Sequence, residues 1–169
     1  NSTPEHISFI LDHAEITHLF VGGKTGTRLF NEVQHQHHIT VISLNDTDQL
    51  KENTTGWDHF LEQGDSVQDF DPDSCLSNVQ MESIQTIMYT SGTTANPKGI
   101  VFNPVNMMSK RFSRALALPE IGSRDVFLCY LPLFHTFGRY FELMGSIFWG
   151  ATYSFAESPA FNSLLNDFK

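Results

Sequence analysis

Residues 83–102 read SIQTIMYTSGTTANPKGIVF, and the prediction of the fold starts from this stretch. Its first part, Ser83 to Tyr89, has the apolar and β-branched composition of a strand. A loop rich in glycine, threonine and proline follows, and the segment from Ile100 to Phe102 resumes the apolar pattern. By composition alone, the stretch therefore predicts two strands joined by a polar hairpin loop.

The loop from Tyr89 to Gly99 also has the chemistry to bind a polyphosphate. Gly92 allows the backbone to approach a ligand closely and to adopt a positive φ. Lys98 adds a cation, and a hydrogen bond to a charged group contributes about 1.5–3 kcal/mol. The loop is not a Walker A motif, because Pro97 precedes the lysine and Gly99 follows it. The hydroxyl donors that stand close together are Thr90, Ser91, Thr93 and Thr94.

The segments on either side alternate between helical and strand patterns. Asn103 and Pro104 are typical of a helix cap and first turn, and predict a helix to about Leu118. Residues 126–131, VFLCYL, lack polar alternation and predict a central strand. The remaining predicted elements are a helix at Arg139–Trp149, a strand at Ala151–Phe155, a last helix from Ser158, and, upstream, a helix that starts at Thr3-Pro4-Glu5, a strand at Ile16–Val21, a helix at Leu29–His37 and a strand at Ile39–Leu44. This order predicts an α/β fold, with mostly parallel sheet layers flanked by helices.

Charge divides the chain into three segments. The whole chain is net −9, and residues 45–83 hold ten of the acids against one base, Lys51. We interpret this segment as an acidic connector with a short helix at Gly56–Gly64, between an α/β portion at 1–44 and a second α/β portion at 84–169. The last portion is net positive although the protein is acidic. A nucleic-acid-binding surface is not expected, because it needs clustered lysine and arginine.

Other classes of protein are excluded by simple counts. Cys75 and Cys129 are too few for a disulfide framework or a zinc ribbon, which favours a reducing compartment with Cys129 as a buried apolar residue. The sequence has no run of about 18 apolar residues, so we expect no membrane span. It has no basic-then-apolar signal pattern either, and we predict a cytoplasmic protein.

The string from Thr90 to Gly99, Thr-Ser-Gly-Thr-Thr-x-x-Pro-Lys-Gly, resembles the signature loop of the adenylate-forming (AMP-binding) enzymes. Residues 131–139, LPLFHTFGR, are similar to the Leu-Pro-x-x-His-x-x-Gly segment of acyl-activating members of that superfamily. Residues 102–106 stand where the family often has a Thr/Ser-His-x-Asn helix start, and residues 125–155 look most like the long-chain fatty acyl-CoA synthetase branch. Ala95 stands where the family usually has glycine, and Pro104 where it frequently has histidine.

The resemblance implies that residues 1–169 are a fragment of the AMP-binding N-terminal domain. Family enzymes also contain a Tyr-Gly-x-Thr-Glu segment, a Gly-Asp motif for the ribose, and a small C-terminal domain with a catalytic lysine. This sequence contains none of these, so we expect the C-terminal domain to be absent and the fragment alone to be inactive.

The resemblance also implies a reaction and the residues that serve it. A fatty acid would be adenylated by ATP and its acyl group passed to CoA, with Mg²⁺ held largely by residues outside this chain. Lys98 and His135 would be the catalytic residues, with His135 near the carboxylate and the α-phosphate. The residues that would hold the β- and γ-phosphates are Thr90, Ser91, Gly92, Thr93, Thr94 and Lys98. The expected partners are fatty acid, ATP and CoA, and the sequence leaves a homodimer and peripheral membrane contact open.

Two other functions stay open at the level of the sequence. The chain could be a catalytically inactive nucleotide-binding α/β fragment. It could also be a Walker-type nucleotide hydrolase that uses Gly23-Lys24-Thr25, although that motif needs a glycine where His18 stands. A simple turn made of glycines is the favoured interpretation of this segment.

Two clusters of charged or titratable residues have a plainer interpretation than a functional one. His35, His37 and His38 lack an accompanying cysteine or carboxylate at ligand spacing, so a polar helix end is favoured over a metal site. Three bases stand on one predicted helix, and a solvated face is favoured over a contact with CoA or acidic lipid. These bases are Lys110, Arg111 and Arg114.

Overall fold

The structure is a computed structural model that describes residues 3–35, 38–44, 54–90, 96–158 and 160–167. The chain forms two compact units. The first unit comprises residues 1–78 and 89–99, and the second comprises residues 79–88 and 100–169. The boundary therefore passes through the stretch at 83–102 from which the fold was predicted.

The first unit is built on a three-stranded parallel sheet with the strand order β1-β2-β3. Its core is formed by apolar residues from both helices and strands, among them Leu11, Val21, Phe30 and Val41. The elements are α1 (Pro4–His13), β1 (His18–Val21), α2 (Gly23–Glu32), β2 (Thr40–Ser43), β3 (Thr54–Gly56), α3 (Trp57–Asp65) and α4 (Pro72–Ser77). The α/β class and the parallel pairing predicted from the sequence are confirmed.

Helix α2 begins and ends earlier than the predicted span of Leu29–His37. It begins after Gly22, and Gly23 adopts φ +69°, a conformation that favours glycine. It ends at Glu32, because the backbone of Val33 is extended and its side chain, only 1% exposed, fills the core. The histidine cluster is thus not at a helix end: His35 and His38 lie exposed in the connection to β2, and His37 lies outside the described residues.

The acidic connector contains more regular structure than one short helix. Thr54 pairs with Val41, so β3 extends the parallel sheet from within a segment that sequence composition marked as a loop. The helix predicted at Gly56–Gly64 is present as α3. Trp57 and Phe60 of α3 make edge contacts with the ring of Phe20 on β1.

The second unit contains residues 86–88 and 100–102 of the two hairpin strands, a long helix and a pair of parallel strands, while the rest of the hairpin belongs to the first unit. Its core groups Met88, Phe102 and Tyr140, with Met107 and Met144 packed against them. The elements are β4 (Thr86–Thr90), β5 (Lys98–Phe102), α5 (Pro104–Ala117), β6 (Val126–Cys129), a π-helix (Gly138–Leu143), α6 (Met144–Trp149), β7 (Thr152–Phe155) and α7 (Phe161–Asp167). Strand β6 was expected at the centre of a sheet, but within the described chain it pairs with β7 alone.

Helix α5 starts where the sequence predicted and for the predicted reason. The side chain of Asn103 accepts a hydrogen bond from the backbone N–H of Asn106, and the Asn106 side chain accepts one from the N–H of Asn103. This reciprocal pair is a capping box, which satisfies backbone donors that the helix leaves unpaired. Pro104 occupies the first turn, where it lacks only a donor that would be unpaired in any case.

The prediction that α5 presents a solvated face is wrong for Arg111, which is buried. Its side chain is only 6% exposed, and its terminal nitrogens have no hydrogen-bond partner in the described chain. Burial and the nearby charge of Arg114 lower the pKa of Arg111. Helix α6 explains the burial, because its Gly145 has no side chain and leaves room beside the guanidinium.

Candidate active site

The two ends of the predicted phosphate loop are exposed and lie at the same end of the hairpin. Thr90 is the last residue of β4, and Lys98 is the first residue of β5. The strands pair with each other, and the backbone N–H of Gln85 donates to the carbonyl of Phe102 at 2.9 Å, which makes the pair antiparallel. The predicted binding residues Ser91, Gly92, Thr93 and Thr94 lie outside the described residues, as does Ala95.

Lys98 is an exposed cation with no carboxylate beside it in the described chain. An ammonium without such a partner can donate hydrogen bonds to an anionic oxygen without first breaking an ion pair. The position therefore suits a lysine that meets phosphate as a point charge.

Strand β4 is fixed to helix α1 just before the loop begins. The Tyr89 hydroxyl lies 2.7 Å from Nδ1 of His13, and the two rings meet edge to face. Burial raises the pKa of Tyr89, so its hydroxyl stays protonated and available for this hydrogen bond. This contact anchors the residue next to Thr90, although no motif in the sequence indicated it.

His135 lies exposed in the segment at residues 131–137, which we call the His135 turn and whose last two residues are already helical. The backbone N–H of His135 donates to the carbonyl of Pro132 at 2.9 Å, and its ring Nδ1 accepts the backbone N–H of Phe137 at 3.2 Å. Because Nδ1 accepts, the neutral ring carries its proton on Nε2. The turn thus presents an Nε2–H donor toward solvent, as hydrogen bonding to a carboxylate or phosphate oxygen requires.

The π-helix that follows packs directly on the His135 turn. A Cβ placed on Gly138 would lie 2.6 Å from the carbonyl oxygen of Pro132 and 2.7 Å from that of Leu131. Real side-chain carbons do not approach backbone oxygens so closely, so glycine is required here for the contact. This explains physically the glycine of the Leu-Pro-x-x-His-x-x-Gly segment.

Two charged residues of the π-helix, Arg139 and Glu142, also interact with the His135 turn. Arg139 donates from Nε to the carbonyl of Leu133 at 2.9 Å and from a terminal nitrogen to Oγ1 of Thr86 at 3.0 Å. Glu142 is only 4% exposed, and burial raises the pKa of its carboxyl, opposed by a hydrogen bond from the backbone of Leu131. Gly138, Arg139 and Glu142 were not singled out as site residues from the sequence. Their spacing alone would fit an ordinary helix.

The predicted site residues that the structure describes fall into two groups, one in each unit. Thr90 and Lys98 share one end of the hairpin in the first unit, and His135 stands in its turn in the second unit. Within the described ranges, no group of three His, Cys, Asp or Glu side chains could hold a metal ion. No helix in those ranges is both long enough and apolar enough to cross a bilayer.

Comparison with known proteins relates these features to enzymes of known class. The family model described as AMP-binding enzyme matches residues 1–169. Long chain acyl-CoA synthetase 4 of Arabidopsis thaliana is 32% identical over 155 residues, which cover 80% of this chain and 22% of that protein. The human long-chain-fatty-acid–CoA ligase ACSBG1 is 33% identical over 118 residues, which cover 68% of this chain and 16% of that protein.

Solved structures share the fold at lower sequence identity. The N-terminal domain of FACL13 from Mycobacterium tuberculosis superposes with a TM-score of 0.66 at 21% identity, covering 93% of this chain and 36% of that one. ATP-bound MatB from Rhodopseudomonas palustris gives a TM-score of 0.70 at 18% identity, covering 98% of this chain and 30% of that one. With its fold, its signature segments and a family match along its whole length, the chain belongs to the AMP-binding enzyme family.

Proposed function

We propose that this chain is part of the N-terminal domain of an ATP-dependent acid–thiol ligase that adenylates a long-chain fatty acid and transfers the acyl group to CoA. The named relatives are long-chain acyl-CoA synthetases or ligases, which supports this substrate class. The chain spans only 16–22% of the length of these relatives, so the activity belongs to the complete enzyme. We infer that the chain alone is inactive.

The observation that carries this proposal is Lys98, which is exposed at the end of the hairpin next to the signature loop and has no carboxylate partner among the described residues. In the proposed reaction the leaving pyrophosphate gains negative charge as it departs. The ammonium of Lys98 would stabilise that charge. The hydroxyl and backbone donors from Thr90 to Thr94 would bind the β- and γ-phosphates.

The first step joins the fatty acid to AMP. A carboxylate oxygen attacks the α-phosphorus, the bond from that phosphorus to the bridging oxygen breaks, and pyrophosphate leaves with both electrons of the bond. His135 would donate from Nε2 to the carboxylate or to an α-phosphate oxygen, while its Nδ1 stays bonded to Phe137. Positioning and charge stabilisation supply the catalysis, so no protein nucleophile is needed.

The second step transfers the acyl group. The thiolate of CoA attacks the acyl carbonyl carbon, and the carbon–oxygen bond to AMP breaks, which gives acyl-CoA and AMP. Enzymes of this class use Mg²⁺ with ATP, and residues outside this chain would supply most of its protein ligands.

The direct test is the release of pyrophosphate by the complete enzyme in the presence of fatty acid. Lys98→Ala and His135→Ala should each slow it about 10- to 100-fold, because each removes a hydrogen bond to a charged group. Lys24→Ala on α2 and His59→Ala on α3 serve as matched controls, since both side chains are exposed and distant in sequence from the signature segments.

Unchanged rates in the Lys98 and His135 variants would contradict the assigned roles. Loss of ATP binding in Lys24→Ala, with Lys98→Ala unaffected, would instead support the Walker-type alternative. Against that alternative, His18 occupies a paired position of β1 opposite Thr40, where the Walker motif needs a turn glycine.

A further inference from the structure

The side chain and the backbone of Arg139 both donate hydrogen bonds to the His135 turn. Its backbone N–H donates to the carbonyl of His135 at 3.0 Å, and its side-chain Nε donates to the carbonyl of Leu133 at 2.9 Å. The two acceptors are therefore the carbonyl of His135 itself and the carbonyl of the residue two positions before it. The neighbouring Gly138 permits the close approach that both bonds need.

The same guanidinium also reaches the start of the strand that leads into the phosphate loop. A terminal nitrogen of Arg139 donates to Oγ1 of Thr86 at 3.0 Å, and Thr86 is the first residue of β4. The side chain of Arg139 thereby links the His135 turn to Thr86, which is 53 positions away from Arg139 in the sequence. All the acceptors are neutral, and no carboxylate pairs with Arg139 in the described part of the chain.

We propose that Arg139 is a positioning residue for the adenylation reaction, which fixes the His135 turn against Thr86 at the start of β4 and so holds the Nε2–H donor of His135 in the orientation that the reaction needs. This inference rests on the proposed function. Arg139 acts through His135 and not by contact with the substrate. The bridge needs two donors at a fixed separation on a planar group, which arginine offers and lysine does not.

Replacement of Arg139 should lower kcat and leave KM for ATP nearly unchanged, because a displaced imidazole affects the reacting centre more than nucleotide binding. In the complete enzyme we expect Arg139→Met to reduce kcat about 10- to 100-fold. Thr86→Val removes one acceptor of the bridge and should cause a smaller loss, and Arg139→Lys should recover only part of the activity. Arg124→Met, which removes an exposed arginine from the same unit, is the matched control.

A double variant separates positioning from a general structural effect. If Arg139 acts only through His135, then His135→Ala combined with Arg139→Met should be no slower than His135→Ala alone. Multiplicative losses in the double variant would overturn the proposal. So would a kcat for Arg139→Met equal to that of Arg124→Met.

A second measurement does not depend on catalysis. In protein labelled with ¹⁵N-histidine, and assigned with a His135→Gln variant, the His135 ring should show the Nε2–H tautomer. Arg139→Met should convert this signal to a mixture of tautomers, and Arg139→Lys should lie between, which keeps the test valid if the methionine variant folds poorly. An unchanged ring signal in both variants would refute positioning. A changed signal in an enzyme without fatty-acid-dependent activity would refute the proposed function alone.

Discussion

Gly138 is a residue whose type is set by backbone packing and not by side-chain chemistry. The carbonyl oxygens of Leu131 and Pro132 stand where its Cβ would be. Because both obstacles belong to the main chain, they cannot be relieved by a change of rotamer. The His135 turn would have to move away from the π-helix.

We therefore expect Gly138→Ala to destabilise the protein by about 1–3 kcal/mol, the usual range for overpacking. Gly64→Ala is the matched control, because Gly64 lies in α3 with nothing within 4 Å of an added Cβ. That variant should gain about 0.5–1 kcal/mol from improved helix propensity. Urea unfolding of both variants checks the pair, and equal effects of the same sign would contradict the packing argument.

Helices and strands were predictable where local chemistry determines them. The starts of α1 and α5 follow from Thr3 and Asn103, whose side chains accept backbone N–H groups within the first turn. The end of α2 was not predictable in the same way, because Val33 leaves the helix to fill the core. Strand β3 was missed for a related reason, since its three residues are a strand only by pairing with β2.

The burial of charged residues also depends on contacts with neighbouring elements. Arg111 was predicted to lie on a solvated helix face, and Glu142 is a charged residue within a mostly apolar segment. Arg111 is buried because α6 presents a glycine beside it, and Glu142 because the π-helix packs on the His135 turn. A single sequence carries no signal for either contact, and the contacts of Arg139 likewise emerged only from the structure.

At the scale of the π-helix, Glu142 should make stability depend on pH. Burial raises the pKa of its carboxyl above the ordinary value of 4.5, so the protonated form is favoured in the folded state. The stability that this group contributes is present at acid pH and is lost as pH rises through the raised pKa. Glu142→Gln removes this loss and keeps an acceptor for the N–H of Leu131.

The free energies of unfolding of wild type and Glu142→Gln should thus be similar near pH 4 and diverge above it, with the variant more stable at pH 8. Urea titrations across this range measure the difference. Glu120→Gln, at an exposed position, is the control and should show no such divergence. A difference between Glu142→Gln and wild type that stays constant with pH would show that ionisation of Glu142 is not its cause.

At the scale of the whole molecule, the acidic average conceals an uneven distribution of charge. Ten acids lie in residues 45–83, whereas residues 84–169, which contain Lys98 and His135, carry seven bases and five acids. The half of the chain proposed to meet ATP is therefore mildly basic in an acidic protein. The candidate residues themselves were identified by resemblance to the family. The structure added the exposure of Lys98, which pairs with no carboxylate in the described ranges, and the hydrogen bond that orients the His135 ring.

The central claim is that this chain belongs to an enzyme that activates a fatty acid as its adenylate. The most direct measurement is ATP–pyrophosphate exchange by the complete enzyme, with and without a long-chain fatty acid. We predict exchange that requires the fatty acid, proceeds without CoA, falls about 10- to 100-fold in Lys98→Ala and is unchanged in Lys24→Ala. The account would be contradicted by an enzyme that shows no exchange and instead hydrolyses ATP to phosphate without fatty acid, with this hydrolysis lost in Lys24→Ala.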